Sequence, residues 1–133
     1  MVELGSKPTP NDDSTFHCGY RIYISGDTLL VPELSEIPKR YPSIDLMLVH
    51  LGGTTIPSPS VPLLMVTMDA KMGLQLVQMV GPDVTVPIHY DDYDVFLSPL
   101  EDFRREVEEA GLSDKVVFLG RGDAYGFKVR ERD

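Results

Sequence analysis

The chain has 133 residues, 42% of them hydrophobic and 25% charged, enough for one soluble domain with a buried core. Its 21 Asp and Glu outweigh 12 Lys and Arg, for a formal net charge of −9, which argues against a nucleic-acid backbone or an anionic membrane as the main partner. Cys18 is the only cysteine, so an internal disulfide and a thiolate zinc cluster are both excluded. A reducing compartment is then the default. With no apolar run of membrane-span length and no basic-then-apolar leader, a cytoplasmic location is expected.

Residues 1–18 are polar and carry two prolines, Pro8 and Pro10, so they are expected to be a flexible lead-in, with the domain proper at 19–130. In 20–25, Tyr20, Ile22 and Ile24 alternate with Arg21, Tyr23 and Ser25, the pattern of a strand. It stops at Gly26, and Asp27 sits at the break. Gly-Asp is ordinary turn chemistry, so this carboxylate needs partners elsewhere to mean more. "PELSEIPKRY" predicts a short helix with Pro32 near its start, Leu34 and Ile37 on its apolar face, and Pro38 and Pro42 limiting its length.

"IDLMLVHL" (44–51) is a near-continuous apolar run, as in a strand covered on both faces, and ends in Gly52-Gly53. Pro57, Pro59 and Pro62 then require a loop. Residues 68–80 read as a helix with Ala70, Leu74 and Val77 on one stripe, stopped by Gly81-Pro82. "DVTVPIH" is the next strand, with Val84, Val86 and Ile88 on one face and His89 at its end. After the acidic "YDDYDVF" loop, Ser98-Pro99-Leu100-Glu101 matches a capping box. The helix it opens buries Leu100, Phe103, Val107 and Ala110, and Gly111 ends it. "KVVFLG" and "AYGFKVR" are expected to close the chain as two short strands. The alternation of strands and helices predicts an α/β fold with helices packed on a sheet.

Asp27, His50 and His89 all fall at the carboxyl ends of predicted strands, where open α/β sheets bind ligands. Asp69 lies at the entry to the 68–80 helix. Carboxylate and imidazole are ligands for zinc, iron or manganese. Each residue also has a simpler use. His50 and His89 fit satisfied histidines at a strand end, and Asp69 fits a helix N-terminus. Asp91, Asp92 and Asp94 fit a solvated loop, with one of them orienting His89. His17 lies in the lead-in. By chemistry alone, a metal site and an acid–base site both remain open.

"YISGDT" (23–28), "IDLMLVHLGG" (44–53), "TMDAKMGLQLV" (67–77) and "VPIHYDDY" (86–93) together resemble the metallo-β-lactamase fold superfamily. The nearest branch is the general metal-dependent hydrolases that include ascorbate-phosphate lactonases and the N-acyl-phosphatidylethanolamine phospholipase D type. The resemblance covers roughly 19–128. It implies an α/β fold that is half of an αβ/βα sandwich, a mixed sheet with helices on one face. It also implies that Asp27 is the aspartate bridging two metal ions and that His89 ligates the second, so that the site activates a water for hydrolysis. The family's H-x-H-x-D-H cluster is absent here, where His17, His50 and His89 are the only histidines. A further family histidine is replaced in Val66-Thr67-Met68-Asp69, where Asp69 would stand in as an oxygen ligand. His50 and Asp91 would then support the ligands from behind.

The resemblance therefore implies zinc or manganese, weakly held, and a small-molecule substrate only if a missing half completes the cleft. On this reading the chain has no catalytic residue of its own and is inactive alone. One alternative is a non-catalytic module that dimerises, or pairs with another subunit, through its exposed sheet face. Another is a complete small enzyme using Asp27 and His89 as acid and base without metal.

Overall fold

The computed structural model describes residues 1–53, 55, 56, 64–90 and 100–130. Among the described residues six strands are formed: β1 (Val2–Ser6), β2 (His17–Ile24), β3 (Leu46–His50), β4 (Thr55–Ile56), β5 (Leu64–Met65) and β6 (Val84–Ile88). The α-helices are α1 (Glu36–Arg40), α2 (Ala70–Val80) and α3 (Leu100–Glu109), with a 3-10 turn at Pro32–Ser35 leading into α1. The main sheet runs β1-β2-β3-β6, and β4 pairs with β5 as a separate antiparallel hairpin. β1 is antiparallel to β2, while β2, β3 and β6 are parallel, so the sheet is mixed as expected.

Register decides the two faces. Tyr23 lies opposite Met47, and Met47 opposite Thr85, so these three share one face with Val49. Onto that face pack Leu76, Val77 and Val80 of α2 and Phe103 and Val107 of α3, with Leu34 and Ile37 from the α1 region. The helices α1, α2 and α3 therefore lie on one side, the consequence of successive crossovers of like hand. Met47, Val49, Leu76 and Val107 are fully buried and Phe103 is 1% exposed. The opposite face carries Tyr20, Leu46 and Val86, with Leu4, Ile22, Leu48 and Ile88 only partly covered.

The α2 stripe differs from expectation. Ala70, Gly73, Leu76, Val77 and Val80 are buried, with Leu74 at the margin. Gly73 belongs there because a Cβ would meet Leu51 Cδ2 at 2.4 Å and Phe103 Cε2 at 3.4 Å, so α2 can approach the sheet and α3 closely. The helix ends as predicted, with Gly81 at φ 62° and its N–H donating to Val77 O at 2.8 Å. The capping box at the start of α3 includes Ser98 and Pro99, which lie outside the described residues.

Two expectations need correction. Residues 1–18 are not simply a lead-in, since 2–6 form an edge strand and β2 begins at His17. Val2–Ser6 is exposed except at Leu4, so its hydrophobicity could not announce it; backbone pairing and the Glu3–Arg21 ion pair (2.8 Å) hold it. The second concerns the chain end. "KVVFLG" and "AYGFKVR" do not form strands; Val116 makes an isolated parallel bridge to Thr85 and the rest is irregular. The turn closed by Asp123 N–H to Gly120 O (3.1 Å), with Gly122 at φ 84°, pulls the chain away from β6. The tail is instead held by Phe127 stacking on Tyr20, with centroids 4.2 Å apart, and by Arg130 N–H donating to Gly19 O. No helix among the described residues is long and apolar enough to cross a membrane.

Phe103 joins both helices to the sheet, so Phe103→Ala is expected to cost about 3–5 kcal/mol of stability in urea unfolding. The exposed neighbour Glu108→Ala should stay within about 0.5 kcal/mol of the parent. Equal effects would show that α3 does not carry this core.

Candidate metal and hydrolytic site

The three parallel strands bring their carboxyl ends to one edge. β2 leaves the sheet through Ser25 and Gly26, and Gly26 adopts φ 65°, which turns the chain so that Asp27 faces the ends of β3 and β6. The Ser25 hydroxyl donates to Gly26 O at 3.0 Å and accepts from the His50 backbone N–H at 2.9 Å. Ser25 N–H in turn donates to Leu48 O at 3.0 Å. The loop bearing Asp27 is thus tied to the last residues of β3.

β3 ends at His50, followed by Leu51, Gly52 and Gly53. Leu51 N–H donates to Ile88 O and Gly53 N–H to Met68 O, both at 3.0 Å, so the double-glycine loop is fastened to β6 and to the segment before α2. His89 follows β6 at φ 60°, a left-handed conformation costing a non-glycine residue about 1–3 kcal/mol. Its Nδ1 lies 3.3 Å from Leu51 O and 3.7 Å from Asp27 Oδ1. The His50 ring stands 5.7 Å from that of His89, centroid to centroid.

Asp27, His50 and His89 therefore converge. The side chain of Asp27 is 59% exposed and that of His89 25%, so their mutual attraction is screened and contributes little to stability. His50 is partly buried, and that burial holds its pKa below the ordinary value; the Asp27 carboxylate opposes this, and nearby His89 acts in the same direction as burial. Its Nδ1 also lies 3.4 Å from Ser25 Oγ.

Asp69 is the N-cap of α2, and its Oδ1 accepts the Met72 N–H at 2.9 Å, the orphan-donor role that a carboxylate at this position fills. Asp91 lies outside the described residues, as do Asp92 and Asp94. Ser25 was not among the predicted site residues, although a hydroxyl two positions before the acid at a strand end was its signal. Among the described residues, no group of three or more His, Cys, Asp or Glu side chains comes together to hold a metal ion. Asp27 and His89 fit two positions of a mixed oxygen and nitrogen donor set, whereas catalytic zinc usually takes three protein ligands and an open position. The described set is incomplete.

The chain matches no family model. It is 33% identical over 106 residues to a UPF0173 metal-dependent hydrolase of Hyperthermus butylicus, an alignment covering 80% of this chain and 41% of the relative. A similar hydrolase of Methanopyrus kandleri is 32% identical over 104 residues, covering 78% of this chain and 40% of that one. The chain thus spans about two fifths of the length of these curated relatives. Among solved structures, the metallo hydrolase Igni18 of Ignicoccus hospitalis superposes with TM-score 0.63 at 25% identity, over 94% of this chain and 52% of that one.

The depressed His50 pKa sets a pH dependence for the metal-free protein. The unfolded chain takes up the His50 proton more readily than the folded one, so stability should fall as pH drops from about 6.5 through the folded value. Comparing urea midpoints at pH 7.5 and pH 5, His50→Asn should show a smaller loss than the parent. An unchanged loss would mean that His50 is protonated as easily folded as unfolded.

Proposed function

We propose that this chain belongs to the metallo-β-lactamase fold superfamily and supplies one half of the site of a metal-dependent hydrolase acting on a small molecule. The observation that carries this reading is the approach of Asp27 Oδ1 to His89 Nδ1, at 3.7 Å, beyond the carboxyl ends of parallel strands. Two donors at that spacing suit bonds of about 2 Å to a shared zinc or manganese ion. A metal held there supplies an activated water or hydroxide.

The chain's own residues hold and orient. Gly26 turns Asp27 toward the site, and His50, whose burial disfavours its charged form, stands beside His89. Asp69 is proposed to act through α2, by capping it, rather than as a ligand. The remaining ligands must come from a segment equivalent to H-x-H-x-D-H, which these 133 residues do not contain. Without it the metal is weakly held and the water is neither positioned nor shielded.

A second reading has its own support. The sheet face opposite the helices leaves Ile24 42% exposed, beside partly covered Ile22, Leu48 and Ile88. A non-catalytic module that forms a homodimer through this face would bury them. A stable dimer in size-exclusion chromatography that persists with Asp27 and His89 both replaced by Ala would favour it.

The test of the leading reading is a panel of phosphodiester, lactone and ester substrates with Zn²⁺ or Mn²⁺, run beside an Asp27→Ala, His89→Ala variant. This chain alone should give no turnover above the variant, because positioning of about 7–11 kcal/mol is missing from the barrier. Paramagnetic broadening by Mn²⁺ should nevertheless appear at Asp27 and His89 and vanish in the variant. Metal-dependent turnover that the variant abolishes would show that this half suffices.

A further inference from the structure

Side chains take part in closing both ends of the β2–β3 ladder. At its start, Arg21 N–H donates to Asp45 Oδ2 at 2.6 Å. At its end, His50 N–H donates to Ser25 Oγ at 2.9 Å. Between these closures the register is regular, with Ile22, Tyr23 and Ile24 opposite Leu46, Met47 and Leu48.

The second closure has a geometric consequence. Ser25 N–H donates to Leu48 O at 3.0 Å, the next rung of the ladder. In a regular parallel pair the same residue would then accept, through its own carbonyl, from the N–H two positions on, here His50. Its main chain would stay extended, and the strand would run on past Gly26. Gly26 stands instead at φ 65°. A Cβ there would meet nothing within 4 Å, so this glycine serves the turn and not close packing. The turn is possible because the Ser25 hydroxyl, not its carbonyl, satisfies the His50 N–H.

The same oxygen has two further neighbours. It donates to Gly26 O at 3.0 Å and lies 3.4 Å from His50 Nδ1. One hydroxyl thus touches the turn residue, the β3 main chain and an imidazole. Asp27 follows two positions later, with Oδ1 3.7 Å from His89 Nδ1. The Asp27 side chain is mostly exposed, so packing does little to fix it, and its place is set by the backbone that carries it.

We propose that Ser25 is a positioning residue for the Asp27–His89 pair: its hydroxyl stands in for a ladder carbonyl, ends β2 one residue early and so aims Asp27 at His89. Without that hydroxyl the His50 N–H draws the Ser25 carbonyl back into the ladder, and Asp27 swings away from His89. The geometry stands on the metal-free chain. Only its use in holding a metal ion rests on the hydrolase reading.

The experiment compares four variants of the full chain with the parent by NMR, first in EDTA. Ser25→Ala should speed hydrogen exchange at the His50 amide and shift both the Asp27 carboxyl carbon and the His89 ring signals. Ser25→Thr, which keeps the hydroxyl, should restore all three. Ser25→Cys, close in size but a weak acceptor, should fall between the two and keeps the test open if the alanine variant does not fold. Thr28→Ala removes a hydroxyl that donates to Leu29 O within the same loop, and should leave the three signals as in the parent. In a second arm without EDTA, the Mn²⁺ concentration that half-broadens Asp27 and His89 should rise about tenfold or more in Ser25→Ala and return in Ser25→Thr. Unchanged His50 exchange in folded Ser25→Ala or Ser25→Cys, unshifted Asp27 and His89 signals, or an equal response in Thr28→Ala would overturn the proposal. Absence of Mn²⁺ broadening in the parent would instead overturn the metal reading, while the EDTA arm still decides the role of Ser25.

Discussion

Parallel pairing of β2, β3 and β6 is the constraint from which the rest of the structure follows. Ile24 sits opposite Leu48, and His50 opposite Ile88, so the three strands stop nearly level. Their carboxyl ends therefore reach one edge together, and the residues that follow them become neighbours despite separations of 23 and 39 positions (27 to 50, 50 to 89) in the chain. A slip of one residue would turn Met47 and Val49 out of the helix-side core and carry His50 to the other face. The buried packing of Met47, Val49, Leu76 and Phe103 opposes that slip.

The sheet's two faces carry unequal loads. On the helix side α2 and α3 seal the core, and Gly73 lets them approach closely. On the other side, Tyr20, Leu46 and Val86 are covered, but Leu4, Ile22, Leu48 and Ile88 are only partly so. The irregular tail covers part of this face through the Tyr20–Phe127 stack. Burial there raises the Tyr20 phenol to about 12, with Tyr125 and the Asp45 and Asp83 carboxylates acting in the same direction. The helix side is thus the better sealed of the two faces.

At the site, strain and polarity meet. His89 accepts an unfavourable φ of 60°, and its ring is steered by a main-chain carbonyl and an exposed acid. Backbone strain of this sort persists where surrounding structure over-determines it, here through the Leu51 and Gly53 bonds to β6 and Met68.

Alternation in 20–25, the apolar run at 44–51 and the 84–88 pattern made the central strands legible, because side-chain period follows burial directly. The Gly81 stop and the Phe103–Val107 stripe did the same for the helices. Gly-Asp after one strand and His after another marked Asp27 and His89 as candidates, and the family resemblance supplied a reason to join them. β1 was hidden because an exposed edge strand is held by backbone bonds that leave no hydrophobic period. The closing strands were overcalled because Val116 to Leu119 has strand composition, while the turn at Gly120–Asp123 removes its pairing partner. Asp69 looked like a ligand by position, and the structure adds that its Oδ1 accepts the Met72 N–H and caps α2. Sequence by itself determined which segments could be strands and helices and which polar residues would end them, since those depend on local pattern. Tertiary structure decided which of those residues meet: Asp27 with His89, and Ser25 with His50. Meeting depends on register and loop closure between distant segments, and no local pattern encodes that.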